Sequence, residues 1–354
     1  MLKKVDVGAF IKNRLIPNST PLRHKLDASL SRRPLIIENR TVEEATIKKL
    51  LEEDAGEIVN NQNTELKGFM KSNSFAQFGG DIEDFISDVE KRSKLDFLMA
   101  GYVGKAFNHL ESPYLNIDLS SLAFMNRLNT FAVKVEMLTG KPAKVVIATE
   151  NGLFDKYVLG TNIDKSLNMV VQAKRIIKRF GFEKIEFKPF SSLLPKNFEK
   201  IVDKELQKLS DEKLTKRSEE INDVSKVLFL SFPTKSFRQA IKLYTDKKEL
   251  KKIDQWTFRA SLGYLAFTRA RHNCGFWEKY RNKYIESSVS PKSNIVNFRY
   301  HVGRVTPPHG VAVIQQGSII TERFYDLVKS CQTHKKRPVL YRFNNIPFFF
   351  QGPC

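Results

Sequence analysis

Lys144-Val145-Val146-Ile147-Ala148-Thr149 is a short, apolar, β-branched run, and its reading decides the fold. A run of this length and composition, bounded by turn signals, reads as a buried strand. Asn162 then offers a helix cap, and Leu167, Val170, Val171, Ile177 and Phe180 fall on one broad apolar face before Gly181 closes the helix. Lys184-Ile185-Glu186-Phe187 reads as a second strand. Strand, helix, strand at this spacing makes a right-handed βαβ unit with parallel strands. The fold class that follows is α/β, with a Rossmann-like, mostly parallel sheet.

Working outward, the helical pattern over 119–138 stops at Thr139-Gly140-Lys141-Pro142, a glycine and then a proline that cannot continue a helix. Helical patterns also cover 81–95 and 96–110. Residues 60–80 are polar, with Gly79-Gly80 as a breaker, and read as a loop. Thr41-Val42-Glu43-Glu44 has the capping-box spacing and opens a helix running to residue 53. Pro17, Pro21 and Pro34 punctuate an irregular arm over 1–40. Downstream, 195–226 reads as one or two solvent-facing helices and 234–284 as helix interrupted near Leu250. A Ser-rich loop follows over 287–293, and then strands over 294–305, 311–315, 318–323 and 339–343, with Gln316-Gly317 as a tight hairpin turn. The expected organisation is a helical N-terminal extension over 1–94 and a Rossmann-like domain over 95–354 that ends in a β-rich portion.

Composition narrows the function classes. With 354 residues, 41% of them hydrophobic and 27 of them Phe, the chain can bury a large core. No apolar run approaches the roughly 20 residues that cross a bilayer, and the first residues lack the apolar stretch of a secretory signal. Cys274, Cys331 and Cys354 are an odd number without paired spacing, which fits free thiols in a reducing compartment. The expected location is the cytoplasm. A net charge of +20 invites a nucleic-acid reading. Against it, Lys174, Lys178, Lys200, Lys204, Lys208, Lys213 and Lys216 lie on helical segments, mostly interleaved with acids, and form no basic tract. A small anion such as a sugar phosphate would use the same excess locally.

Four stretches can carry chemistry. Glu150, Asn151 and Asp155 follow the first strand, where ligands of open α/β sheets collect. An ordinary Asn-Gly turn is the competing reading. The second stretch runs from His301-Val302-Gly303-Arg304 to Thr306-Pro307-Pro308-His309-Gly310. It places two imidazoles and a guanidinium around one strand-loop-strand. Histidine carries protons near neutral pH and arginine forks onto carboxylate or phosphate. Two strand histidines bonded to backbone would look the same. The third, over 261–284, carries Arg269, Arg271, His272 and Cys274, with Tyr264, Phe267, Phe276 and Trp277 marking its packed face. Arg271 can turn inward to an anion or lie on a solvated face. Lys235 and Arg238 can bind phosphate at a helix N-terminus. The His and Cys spacings match no standard zinc pattern, so no metal is expected.

Taken in order, strand 144–149, the Asn151-Gly152 turn with Phe154 and Asp155, helix 261–284 and Thr306-Pro307-Pro308-His309-Gly310-Val311-Ala312-Val313 resemble the isonitrile (isocyanide) synthases of the pyoverdine and dityrosine biosynthesis family. The resemblance spans residues 95–330. Departures from the family pattern are Asn151 in place of an acid, a Gly-to-Phe spacing shorter by one, Pro308 in place of Trp and no proline after His301. They mark a distant member or a different substrate. The resemblance implies a Rossmann-like catalytic domain joining an amino acid amine to ribulose 5-phosphate, with no nicotinamide, flavin or other cofactor. His309 and His301 would then move protons, and Arg304 and Arg271 would seat phosphate and carboxylate. Asn151, Asp155, Lys235 and Arg238 complete the expected substrate contacts, and a downstream oxygenase is the expected pathway partner. Two other readings compete: a basic nucleic-acid-binding or otherwise non-catalytic protein, and a different transferase using a phosphorylated substrate.

Overall fold

The apolar run at 144–149 lies inside a six-stranded sheet in the computed structural model, which describes residues 3–4, 36–101, 116–149, 164–211, 262–289, 293–299 and 310–352. Its strands are β3 (Ala76–Phe78), β4 (Leu95–Gly101), β5 (Ala143–Thr149), β6 (Ile185–Pro189), β7 (Ile285–Ser288) and β8 (Val296–Phe298), in the order β3-β8-β7-β4-β5-β6. Every neighbouring pair is parallel except β3 on β8. Along β4 and β5 both faces are covered, whereas β6 alternates, with Ile185 and Phe187 buried and Glu186 and Lys188 half-buried. Phe97, Met99, Val145, Ile147, Ile185 and Phe187 join one core, and Leu98, Val146 and Ala148 join another. Burial on both sides is why β5 reads as an unbroken apolar run rather than an alternating one.

The expected βαβ unit is present: β5, then α5 (Asp164–Phe180), then β6 in parallel register with β5. Gly181, at φ 72°, closes α5 in the left-handed region. Before β5 lies α4 (Leu119–Thr139), which ends at Gly140 with φ 65°, in accord with the glycine-proline stop. Leu119 through Met125 are all buried, as are Leu128, Phe131, Ala132 and Val135. A helix apolar on nearly every side belongs in an interior. Here α4 lies between the parallel sheet and a second sheet of β1 (Lys3–Lys4), β2 (Ile36–Thr41), β9 (Val311–Gln315), β10 (Ser318–Glu322), β11 (Val339–Phe343) and β12 (Ile346–Gln351). That sheet is mixed, ordered β1-β2-β11-β12-β9-β10, with β2/β11 and β12/β9 parallel. Gln316 and Gly317, both at positive φ, make the expected hairpin between β9 and β10.

Several local expectations are corrected. Residues 95–101, expected to be helix, are strand β4, because burial between β5 and β7 overrides the helical spacing of its apolar residues. The polar stretch 60–80 contains α2 (Leu66–Ser72), which buries Leu66, Phe69 and Met70, and then strand β3. Residues 36–41 of the expected arm pair with β11. Thr41 closes that strand instead of capping, so α1 (Glu44–Val59) starts later and runs further, with Glu43 at its cap making no side-chain bond. Asp81 does cap α3 (Ile82–Glu90), accepting from the Glu83 N–H at 3.0 Å. Ser287 and Ser288 belong to β7 and not to a loop. Four helices complete the described residues: α6 (Phe198–Asp211), α7 (residues 262–273), α8 (Phe276–Tyr280) and α9 (Phe324–Thr333). None of these helices is long and apolar enough to cross a membrane.

Candidate functional site

The chain leaves β4 for β5 and then β6 on one side, with α4 and α5 packed on one face of the sheet. It returns through α6, α7 and α8, whose Phe198, Val202, Ala266, Ala270 and Phe276 pack on the other face, to lay β7 on the opposite side of β4. The β4–β7 boundary, registered Phe97↔Ile285, Leu98↔Glu286 and Met99↔Ser287, is therefore a topological switch point. Connections diverge there, and open α/β sheets bind ligands in the crevice outside the carboxyl ends at that place.

The N-terminus of α4 reaches the same edge. Twenty-one residues of helix extend about 31 Å at 1.5 Å per residue. The seven residues of β5 extend only about 23 Å at 3.3 Å each. Because Gly140-Lys141-Pro142 joins the two directly, the excess length of helix projects toward the carboxyl edge. Asp118, buried at that end, is saturated with donors. Its Oδ1 accepts from the Ser121 N–H at 3.1 Å, the Ser120 hydroxyl at 2.7 Å and the Ser121 hydroxyl at 3.2 Å. Its Oδ2 accepts from the Ala312 N–H at 2.9 Å, which ties the start of β9 to the head of α4. Asn116 adds a second tie, its Nδ2 donating to the Pro347 carbonyl at 2.7 Å. A carboxylate at a helix N-terminus already answers the positive end of the dipole, so this helix end does not serve as an anion seat.

Of the residues expected to carry chemistry, His309, His301, Arg304, Asn151, Asp155, Lys235 and Arg238 lie outside the described residues. Their described neighbours are Thr149, buried at the carboxyl end of β5 with its hydroxyl donating to the Lys188 carbonyl at 3.2 Å, and Gly310, buried just before β9. Arg271 is described. It is half-buried on α7, its guanidinium 6.0 Å from the centre of the Phe190 ring, in the layer on the opposite face of the sheet from α4.

Arg323 carries no sequence signal for a site, because Thr-Glu-Arg at a strand end reads as surface. It is nevertheless 2% exposed. Glu322 pairs with Val311, so Arg323 follows β10 alongside Gly310, where the Pro-Pro-His segment enters its strand. Its Nη1 is 3.7 Å from Asp326 Oδ2. The structure thus places a buried guanidinium beside Gly310.

The two described thiols are held protonated. Burial raises the Cys274 thiol. Burial, and then the nearby Glu322 charge, push Cys331 up to about 11. A thiol needs a lowered pKa to act as a nucleophile at neutral pH. Between the ordinary value near 9 and the folded value near 11, the native state keeps a proton that the unfolded state has lost, so stability falls with rising pH over that window. The stability gap between wild type and Cys331→Ala, measured in urea, should narrow from pH 9 to 11. A gap unchanged across that range would overturn the assignment. Among the described residues no group of three or more His, Cys, Asp or Glu is placed to hold a metal ion.

A Rossmann-like parallel sheet, a central buried helix and a mixed second sheet define the class of protein at the level of fold. The crystal structure of PvcA from Pseudomonas aeruginosa shares that fold, with a TM-score of 0.58 at 13% sequence identity, over 92% of this chain and 99% of that one. No family model and no curated protein matches the sequence.

Proposed function

We propose that the chain is a cytoplasmic isonitrile synthase-like enzyme that joins an amino acid amine to ribulose 5-phosphate, its product passing to a downstream oxygenase. The observation that carries this reading is the match to PvcA, a protein of the pyoverdine/isonitrile synthase family, over nearly the whole of both chains. The ordered motifs at 144–155, 261–284 and 306–313 point to the same family independently of the fold.

The described anchors support one site. Asn151 is two residues past Thr149 at the carboxyl edge, and His309 is two residues before Val311. Covalent geometry alone keeps each within about 7 Å of its anchor. The Asp118–Ala312 bond holds the start of β9 at the head of α4, on the side where β5 ends. In the proposed reaction the amine adds to the sugar ketone and water leaves, giving an imine. Cleavage of both carbon–carbon bonds at the former ketone carbon then leaves that carbon on nitrogen, with C1 departing as formaldehyde and C3–C5 as a three-carbon carbonyl fragment that releases inorganic phosphate. His301 and His309 move the protons these steps require. Arg304, Lys235 and Arg238 supply the cationic seat for phosphate and carboxylate, with Arg271, and Arg323 adds a buried guanidinium beside Gly310. Asn151 and Asp155 hold the neutral parts of the substrate.

Incubation of the purified protein with ribulose 5-phosphate and pooled amino acids tests the reading, an isonitrile stretch or a tetrazine-reactive product being the expected result. His309→Asn, which keeps size and polarity but cannot carry a proton, should lower turnover at least tenfold with an unchanged melting temperature. A folded protein that gives no isonitrile from any amino acid would overturn it.

A further inference from the structure

At the switch point one buried hydroxyl has nothing to bond among the described residues. Ser287 is 3% exposed, and its Oγ has no hydrogen-bond partner among them. On the α4 side of the sheet its neighbours across both ladders are Met99 on β4 and Val296 on β8, and Ile285 precedes it by two residues on β7. All three are buried and apolar and offer it no acceptor. Leaving a buried hydroxyl unsatisfied destabilises a fold, and an alanine here would avoid that cost. A second such group stands at the same edge. Asn73, 1% exposed, accepts from the Phe75 N–H through Oδ1 at 2.9 Å, while its Nδ2 has no partner among the described residues. The adjoining Arg299 N–H donates to the Phe75 carbonyl where β8 ends, which fixes Asn73 at the carboxyl side. A buried polar atom left without a partner calls for an explanation, and a ligand that completes it is one.

We propose that Ser287 Oγ is the floor of a neutral, oxygen-recognising subsite in the crevice between β4 and β7, which takes a hydroxyl or carbonyl of a sugar chain. The chemistry is neutral because Ser287 offers an uncharged hydroxyl and, among the described residues, the buried carboxylate of Asp118 has both oxygens engaged by donors. A hydroxyl both donates and accepts, which suits a polyol or keto sugar better than an anion. The inference rests on the phosphosugar reading above and assigns the sugar's uncharged portion a place within that site.

Thermal melts and calorimetric titrations of wild type and Ser287→Ala with ribulose 5-phosphate, ribose 5-phosphate, fructose 6-phosphate and inorganic phosphate test it. The expected result is an equal or higher melting temperature for Ser287→Ala and ribulose 5-phosphate affinity weakened about five- to tenfold, with inorganic phosphate affinity unchanged. Wild type and variant binding ribulose 5-phosphate equally would overturn the subsite and leave the proposed function standing. Binding of another sugar phosphate instead, weakened by the variant, would overturn ribulose 5-phosphate as substrate and support the subsite. Binding of none of the sugars would overturn both. A variant melting several degrees below wild type would overturn the subsite, because the hydroxyl would then have a partner inside the fold.

Discussion

Asp118→Ala should lower the unfolding free energy by about 3–5 kcal/mol, a loss as large as that from breaking a buried charged network. One carboxylate accepts from two backbone N–H groups and two hydroxyls, at 2.7–3.2 Å, with the side chain buried. Loss of the cap alone costs about 1 kcal/mol. Leaving the buried Ala312 N–H without an acceptor costs about 1–3 kcal/mol more. The contributions do not add simply, because Ser120 and Ser121 can rebond once the carboxylate is gone. Asp118→Asn separates the two ends of the side chain. Its Oδ1 still caps α4, but its Nδ2 faces the Ala312 N–H donor to donor, so the loss should be about 1–3 kcal/mol. Urea unfolding measures both. Amide exchange at Ala312 locates the damage, because it should accelerate in both variants while exchange at Ser121 accelerates only in Asp118→Ala. A loss below about 1 kcal/mol for Asp118→Ala would mean that the bond between the head of α4 and β9 does not hold the two sheets together.

That bond joins residues 194 apart in sequence, and the separation marks the limit of what a linear reading reaches. The unit at the centre of the fold was legible because its information is local. The run 144–149 is β-branched and unbroken, the helix after it has one apolar face, and Gly140 and Gly181 stop their helices through their own backbone freedom. Leu95, Leu98 and Met99 misled because apolar spacings of three and four suit a helix, whereas in a strand buried on both faces spacing carries no information. The short elements within 60–80 were hidden by their polar surroundings. At the candidate site the histidines and the Asn151 turn were legible as residue types only. Arg323, Asp118 and Ser287 take their significance from register: Glu322 against Val311, Ala312 against a helix cap, and Met99 against Ser287. No property of their sequence neighbours contains those pairings.

Phe131→Ala should cost about 3–5 kcal/mol, while Met137→Ala, six residues further along the same helix, should change stability by no more than about 0.5 kcal/mol. Phe131 is fully buried on α4, whereas Met137 is 73% exposed. The Phe131 ring centre is 5.2 Å from that of Phe97 on β4, 5.2 Å from that of Phe298 on β8 and 6.0 Å from that of Phe69 on α2. The Phe97 and Phe298 pairs are edge-to-face, an arrangement worth about 0.5–1.5 kcal/mol each beyond the area they bury. Truncation removes all three contacts and leaves a cavity among large rings held by different elements, which cannot collapse together to fill it. Phe131→Leu retains most of the volume and should lose roughly half as much. Urea unfolding of the three variants is the measurement, and a Phe131→Ala loss no larger than that of Met137→Ala would overturn this account of the core. The same cluster accounts for part of the phenylalanine content, which the composition read as material for a large core. Phe69, Phe75, Phe97, Phe131 and Phe298 are all fully buried, and their ring contacts knit α2, α4, β4 and β8 into one interior beneath the carboxyl edge.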